Sequence, residues 1–508
     1  MFYVPIYVEM LRSRPTLVFW AATLAQALIW FVVPAVFYAA PPDDLAQLLV
    51  IGHEFRFDAG VGPPLAYWLA EIAFRAAGLF GVYALAQLCV IVTYASVFAL
   101  GRAVVGAAHA AIAVLLMVGV SLFTVPSPDF GPPVLAMALW SIALLHFWRA
   151  AAQGRKLSWY VFGAAAALLL LASSAALILL GGIGLFAAAT ARGRAALDAI
   201  EPWIVAIALA PFLFLHLLWL EGVGDTLMPF LDRLRDAQMA SANMSLWLKL
   251  LFVLFLAHAG VIILLVLAGG WPRVRTMPAP PLVRRPVEPS ARTFVKLFAL
   301  APALLATIIA VLIGQKAPVG GAAPLLVLSG LGVVIAAGDT IALYHQRVLG
   351  FAWAGLLLVP ALFVPLLIVL LPWAAGTDLQ VAQPANAMGR FFAETFERRT
   401  GAPLAVITGD PRAAALVALT APSRPSVFFD ADPARSPWVT ADDIRKKGAV
   451  VVWLAADTAP TLPPDIKAYF PDLVPEVPRT FARPVQGRLP LLRVGWGVIR
   501  PGTVAPAR

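Results

Sequence analysis

Runs of apolar residues long enough to cross the roughly 30 Å hydrocarbon core of a bilayer recur from Thr16 to Trp373, and then stop. Few folds are open to such a chain. In lipid every backbone N–H and C=O must be satisfied within the structure, so the runs read as helices. Composition agrees: 61% of residues are hydrophobic and 13% charged, against about half and about a quarter in soluble domains. The net charge of +10 would point to nucleic acid in a soluble protein. Here the arginines gather in short loops, where they set topology and meet anionic lipid, so the expected partner is the bilayer and not nucleic acid. Cys89 is the sole cysteine and lies inside an apolar run, which leaves no disulfide framework and no thiolate metal site. The first run, Thr16 to Ala40, closes without a small-residue cleavage pattern and reads as a retained anchor.

Membrane helices are expected near 16–40, 80–100, 105–124, 132–149, 201–220, 245–269, 293–314, 320–337 and 349–373. The stretch 159–190 is too long for one ordinary helix and carries Ser173-Ser174 at its middle. Loop charge decides how it threads. With the N-terminus cytoplasmic and 159–190 entering and leaving on one side, the cytoplasmic loops hold Arg12, Arg14, Arg102, Arg149, Arg155, Lys156, Arg192, Arg194, Arg273, Arg275, Arg284, Arg285, Arg292 and Arg347. The opposite loops before the terminal segment hold Arg56, Arg75, Arg233, Arg235 and Lys316. That bias obeys the positive-inside rule, and a single crossing at 159–190 would destroy it. Two short helices are therefore expected there, and residues 375–508 fall outside the cytoplasm.

The outer segment alternates. Ala385–Thr400, Pro411–Thr420 and Ala441–Lys447 read as helices, while Pro403–Thr408, Ser426–Phe429, Ala449–Leu454 and Leu489–Val498 read as extended. The expected fold is an all-α polytopic membrane domain of about eleven helices, two of them short, over 1–374. Its outer loops lie at 41–79, 125–131, 221–244 and 315–319, and a small extracytoplasmic α/β domain follows at 375–508. The Pro/Arg-rich stretch 271–291 reads as a cytoplasmic linker. No Gly-rich phosphate loop and no solenoid repeat is seen.

The first outer loop is the richest in chemistry. Asp43-Asp44 follow Pro41-Pro42, then come Gly52-His53-Glu54-Phe55-Arg56 and Gly62-Pro63-Pro64-Leu65-Ala66-Tyr67-Trp68-Leu69. Proline suits the first turn of a helix, so an amphipathic helix is expected to start at the Pro-Pro pair, with Tyr67, Trp68 and Phe74 at the interface. An acidic residue at the start of this loop followed by PPL-x-x-W-L resembles glycosyltransferase family 39, within the C-type superfamily of integral membrane glycosyltransferases. That superfamily includes protein mannosyltransferases and aminoarabinose transferases. Phe123-x-x-Pro126-x-Pro128-Asp129-Phe130, Leu139-Trp140, Phe147-Trp148-Arg149-Ala150, Trp159 with Gly163, and Gly314-Gln315-Lys316 with Pro324-Leu325-Leu326 resemble later family segments in order. Ile407-Thr-Gly-Asp410, Ser436-Pro-Trp438 and Gly448-Ala-Val-Val-Val-Trp453 resemble the extra domain of bacterial members. The chain departs from the family in having Val61-Gly62 before the Pro-Pro pair, Ser173-Ser174 where many members carry a Lys-Tyr or similar polar pair, and Gly131-Pro132 after Asp129-Phe130.

The resemblance implies inverting transfer of a sugar from a polyprenyl-phosphate donor to a hydroxyl of a lipid, glycan or protein acceptor, at the periplasmic face of a bacterial inner membrane. Phosphate is a good leaving group, so one carboxylate base suffices, with cations on the leaving phosphate. By position Asp44 or Asp43 is the base candidate and Asp129 a second carboxylate. Arg56, Arg233, Arg235 and Lys316 are phosphate candidates, and His53, Glu54 and Tyr67 are further substrate-binding candidates. Asp43, Asp44 and Asp129 on one face could also hold Mg²⁺ or Mn²⁺ through oxygen ligands.

Plainer readings stand beside these. Asp43-Asp44 fit a helix start, Asp129 a turn, His53 a surface loop, 232–236 a solvated helix face, and Ser173-Ser174 helix packing. A non-catalytic membrane protein, either an inactive paralogue or a lipid or glycan transporter, is the alternative class. A transporter would place ionisable groups at the bilayer midplane, whereas this chain keeps nearly all of them at helix ends.

Overall fold

The structure is a computed structural model describing residues 6–57, 62–220, 237–269, 281–343, 346–377, 379–433 and 435–502. It divides into two compact units: Met1–Val32 with Tyr83–Leu362, and Val33–Val82 with Phe363–Arg508.

The first unit is helical. Among the described residues of the whole chain, six helices are long and apolar enough to cross a membrane: Pro15–Phe37, Leu65–Val105, Pro132–Gln153, Glu201–Leu220, Pro289–Leu312 and Gln346–Ala374. A bent pair, broken at His258 by 51°, makes a seventh if it counts as one span. This is a multi-pass membrane protein. The long stretch near 159–190 is two helices, Lys156–Leu170 and Ala175–Ala189, parted at Ser173-Ser174 as expected. Ser173 Oγ donates to the Gly320 carbonyl at 3.3 Å and accepts from the Ala175 N–H at 3.2 Å, so it caps and packs the break. The helix expected over 105–124 is shorter, Ala107–Met117, followed by a 3-10 turn at Ser121–Phe123. There Gly119 meets Gly260 so closely that a Cβ on Gly119 would lie 2.7 Å from the Val261 nitrogen, the small-residue contact that membrane helices use. Phe147, Trp159, Phe162, Phe186 and Phe294 form an interlocking aromatic core. Buried Gln26 donates to the Tyr94 hydroxyl and to the Phe123 carbonyl, tying the helix Pro15–Phe37 to the turn at Ser121–Phe123.

The second unit holds the α/β domain. The membrane domain contributes a two-residue pair, β1 (Leu282–Val283) and β2 (Thr340–Ile341). The main sheet comprises β3 (Val406–Gly409), β4 (Ser426–Phe429), β5 (Ala449–Leu454), β6 (Glu476–Phe481) and β7 (Leu492–Ile499), in the order β4-β3-β5-β7-β6. Strands β4, β3 and β5 are parallel, and β7 and β6 add antiparallel. Strand β6 had no sequence expectation, because Glu476–Phe481 mixes Pro478 and Arg479 into an edge strand where Pro is tolerated.

Period-two alternation sorts the sheet's side chains onto two buried faces. Ile407, Val427, Val450 and Val452 face a cluster with Phe392, Phe396 and Leu416 from the helices Ala385–Thr400 and Pro411–Thr420. Val406, Phe428, Val451 and Trp453 face Ile444, Phe470 and Leu473. The first cluster also contains Ala40, Ala46 and Val50. The compact unit around the sheet therefore includes part of the first loop.

Candidate functional site

The first loop is mostly helix. Asp43–His53 begins directly after Pro42, which supplies no side-chain cap, so its first-turn carboxylates answer the helix's positive end. The second helix of the loop starts at Leu65 after Pro63-Pro64 and continues to Val105, with non-helical backbone at Ala77 and at Gly78, where φ is +61°. That left-handed step, open to glycine, separates the loop helix from the membrane span that follows. The two loop helices cross closely at Gly52: a Cβ there would overlap the Tyr67 carbonyl oxygen.

That crossing sets His53 beside Glu71. His53 Nδ1 lies 3.0 Å from Glu71 Oε1, and Arg75 Nε donates to the same oxygen at 2.9 Å. Arg424, from the C-terminal domain, donates through Nη2 to Glu71 Oε2 at 2.9 Å. The Glu71 side chain is 1% exposed and Arg424 17%. A carboxylate taking hydrogen bonds from two guanidinium groups and an imidazole is satisfied in its ionised form. Both arginines are also stacked, Arg75 on Phe55 at 4.8 Å and Arg424 on Phe74 at 4.5 Å. Burial pushes the Arg424 guanidinium below its ordinary range, and Glu71 beside it pulls the other way. One carboxylate against two arginines leaves an excess positive charge at this corner.

The two neighbouring carboxylates of the first turn differ. Asp43 Oδ2 is 2.7 Å from Arg412 Nε, and Asp43 Oδ1 accepts from Gln47 at 3.3 Å. Asp44 is exposed, and its side chain makes no hydrogen bond or ion pair with the described residues. Arg412 stands at the start of Pro411–Thr420, where Asp410 caps by accepting from the Arg412 and Ala413 N–H groups at 3.1 and 2.9 Å.

Residues 61–219 match the family model for dolichyl-phosphate-mannose-protein mannosyltransferase. The whole chain is similar in structure to ArnT from Cupriavidus metallidurans bound to undecaprenyl phosphate, at 14% identity, covering 95% of this chain and 97% of that one, with a TM-score of 0.53. The apo state of that protein matches over the same shares at 14% identity, with a TM-score of 0.50. The chain has the C-type glycosyltransferase fold. No curated protein matches it.

Within this C-type fold the remaining sequence candidates separate. His53, Glu54, Arg56 and Tyr67 share the second unit with Asp43 and Asp44. Glu54 closes the first loop helix and Arg56 is exposed just beyond it. Tyr67 is half-buried, one turn before Glu71. Asp129 and Lys316 belong to the first unit. Asp129 sits in a turn, its N–H donating to the Pro126 carbonyl at 3.1 Å, and Lys316 is exposed. Arg233 and Arg235 lie outside the described residues. Among the described residues no group of three or more His, Cys, Asp or Glu side chains gathers as a metal site would require.

Glu71, Arg412 and Arg424 were not singled out from the sequence. Glu71 had one legible signal, the i, i+4 spacing to Arg75 on a helix starting at a Pro-Pro pair. Arg412 and Arg424 had none, since each finds its partner through the tertiary fold.

Proposed function

We propose that this protein transfers a sugar from a polyprenyl-phosphate donor to a hydroxyl of an envelope lipid, glycan or protein, with inversion, and that Asp44 is the base. The observation that carries the assignment is the contrast within one helical turn: Asp43 is held by Arg412 and Gln47, while Asp44 is exposed and unpaired among the described residues. The match to the mannosyltransferase family and the shared fold supply the reaction class. The undecaprenyl phosphate bound by ArnT supports a lipid-phosphate donor. In the step itself Asp44 takes the acceptor's hydroxyl proton as the oxygen bonds to the anomeric carbon. The carbon–phosphate-oxygen bond breaks, and its electron pair leaves on the phosphate. Arg56 and the exposed edge of Arg75 are cations in the same unit as Asp44 that can meet the leaving phosphate. A divalent cation, Mg²⁺ or Mn²⁺, is a separate proposal from the sequence, and transfer measured with and without a chelator tests it.

Purified protein given radiolabelled polyprenyl-phosphate sugars and an envelope acceptor pool is expected to show transfer. A positioned base contributes about 10²–10⁴-fold, so Asp44→Asn should lower the rate by at least about 10²-fold. Undiminished transfer in Asp44→Asn overturns the assignment, and transfer lost only in Asp43→Asn moves the role to Asp43. No transfer by the wild type from any donor favours the non-catalytic reading.

We place the protein in a bacterial inner membrane with a cytoplasmic N-terminus and a periplasmic C-terminal domain, on the arginine bias of its loops. An alkaline phosphatase fused after Pro501 should then be active, and one fused after Arg347 inactive. The reverse pattern inverts the topology.

A further inference from the structure

We infer that the helix Pro411–Thr420 and the turn that follows it in the C-terminal domain position the candidate base, because Arg412 at the helix start and Arg424 in that turn hold the two helices of the first loop. The inference rests on the reading of Asp44 as the base. At one end Arg412 Nε reaches Asp43 Oδ2 at 2.7 Å, in the first turn of Asp43–His53. Just beyond the other end Arg424 Nη2 reaches Glu71 Oε2 at 2.9 Å, on the helix that begins at Leu65. Between the two contacts the helix is lined by small buried residues, Ala413, Ala414 and Ala418, in one cluster with Ala46 and Val50 of the first loop. Small side chains allow close approach, and a helix of this length is a rigid spacer of about 15 Å. Arg412 starts this spacer, and the turn after it carries Arg424, whose N–H donates to the Ala421 carbonyl at 3.0 Å, so helix and turn together set the separation of the two acidic anchors.

The contacts are unequal. Arg412 is 66% exposed and Asp43 19%, so this pair orients more than it stabilises. Glu71 is buried and Arg424 half-buried, so their pair is the stronger of the two contacts and holds the clamp shut. Asp43 is thereby committed to the C-terminal domain, and its commitment fixes the rotation of the helical turn that presents Asp44. Arg412 and Arg424 are positioning residues, and the C-terminal domain forms part of the site.

The test uses the full chain in nanodiscs and reads amide hydrogen exchange over 43–53 alongside transfer kinetics. Arg412→Ala should speed exchange at 43–47 by about two- to fivefold, as expected for an exposed pair, and lower kcat by ten- to a hundredfold, with the donor KM within about twofold. Arg412→Lys should restore most of both, since one charged contact is replaced. Arg424→Ala should speed exchange across the whole 43–53 helix. In an Asp43→Ala background Arg412→Ala should add nothing to exchange, because the contact is already gone. Unchanged exchange in both alanine variants overturns the clamp. A fall in folded protein with kcat per folded molecule unchanged overturns the positioning role. If the wild type transfers no sugar, the base assignment fails while the exchange measurements still decide the clamp.

Discussion

Replacing Glu71 with glutamine should destabilise the second unit by about 3–5 kcal/mol, the ordinary cost of removing one partner from a buried ion pair. The isosteric amide keeps the shape but leaves Arg424, 17% exposed, with no counter-charge, and turns an acceptor oxygen into a donor facing other donors. Arg75 is 56% exposed and contributes little to that figure, because water replaces its contact. The measurement is thermal unfolding in detergent, paired with limited proteolysis of the C-terminal domain. The double variant Glu71→Leu with Arg424→Met should recover most of the loss, since two apolar groups need no partner. A Glu71→Gln protein as stable as wild type would show that the cluster is solvated and carries no structural weight.

Gly409→Ala should be nearly as damaging, at about 3 kcal/mol or more. Gly409 ends β3 at φ +112°, outside the range of L side chains, and a Cβ there would overlap the Val452 carbonyl oxygen of β5. That oxygen also accepts from the Asp410 N–H at 2.8 Å. Displacing it disturbs the residue that caps Pro411–Thr420 and so the placement of Arg412. Gly401→Ala is the control. Its φ is also positive, at +73°, but a Cβ would meet nothing within 4 Å. It should lose only the left-handed strain of roughly 1–2 kcal/mol. Equal losses in the two variants would remove the steric argument.

Much of this architecture is written locally. The continuous apolar run of β5, Ala449–Leu454, and the Asp410-Pro411 helix start are patterns of a few residues, and the structure keeps both. The pair of helices at 156–189 was fixed by loop charge, because moving positive loops across a bilayer is costly enough to override helix length. Where local signals are mixed they mislead: apolar composition carries the helix expected at 105–124 past Met117, and nothing in that stretch announces the Gly119–Gly260 contact.

The acidic start of the first loop was legible for the same reason, as two carboxylates after two prolines. Which of them is free was not. The sequence by itself determined the membrane class, the helical runs, the small α/β domain and the presence of Asp43 and Asp44, since these follow from composition and short-range periodicity. Only the tertiary structure decided that Asp43 meets Arg412, that Glu71 meets an arginine 353 residues away, and that Asp44 is left exposed. Ion pairing over such separations depends on where packed helices bring their ends. No local pattern records that.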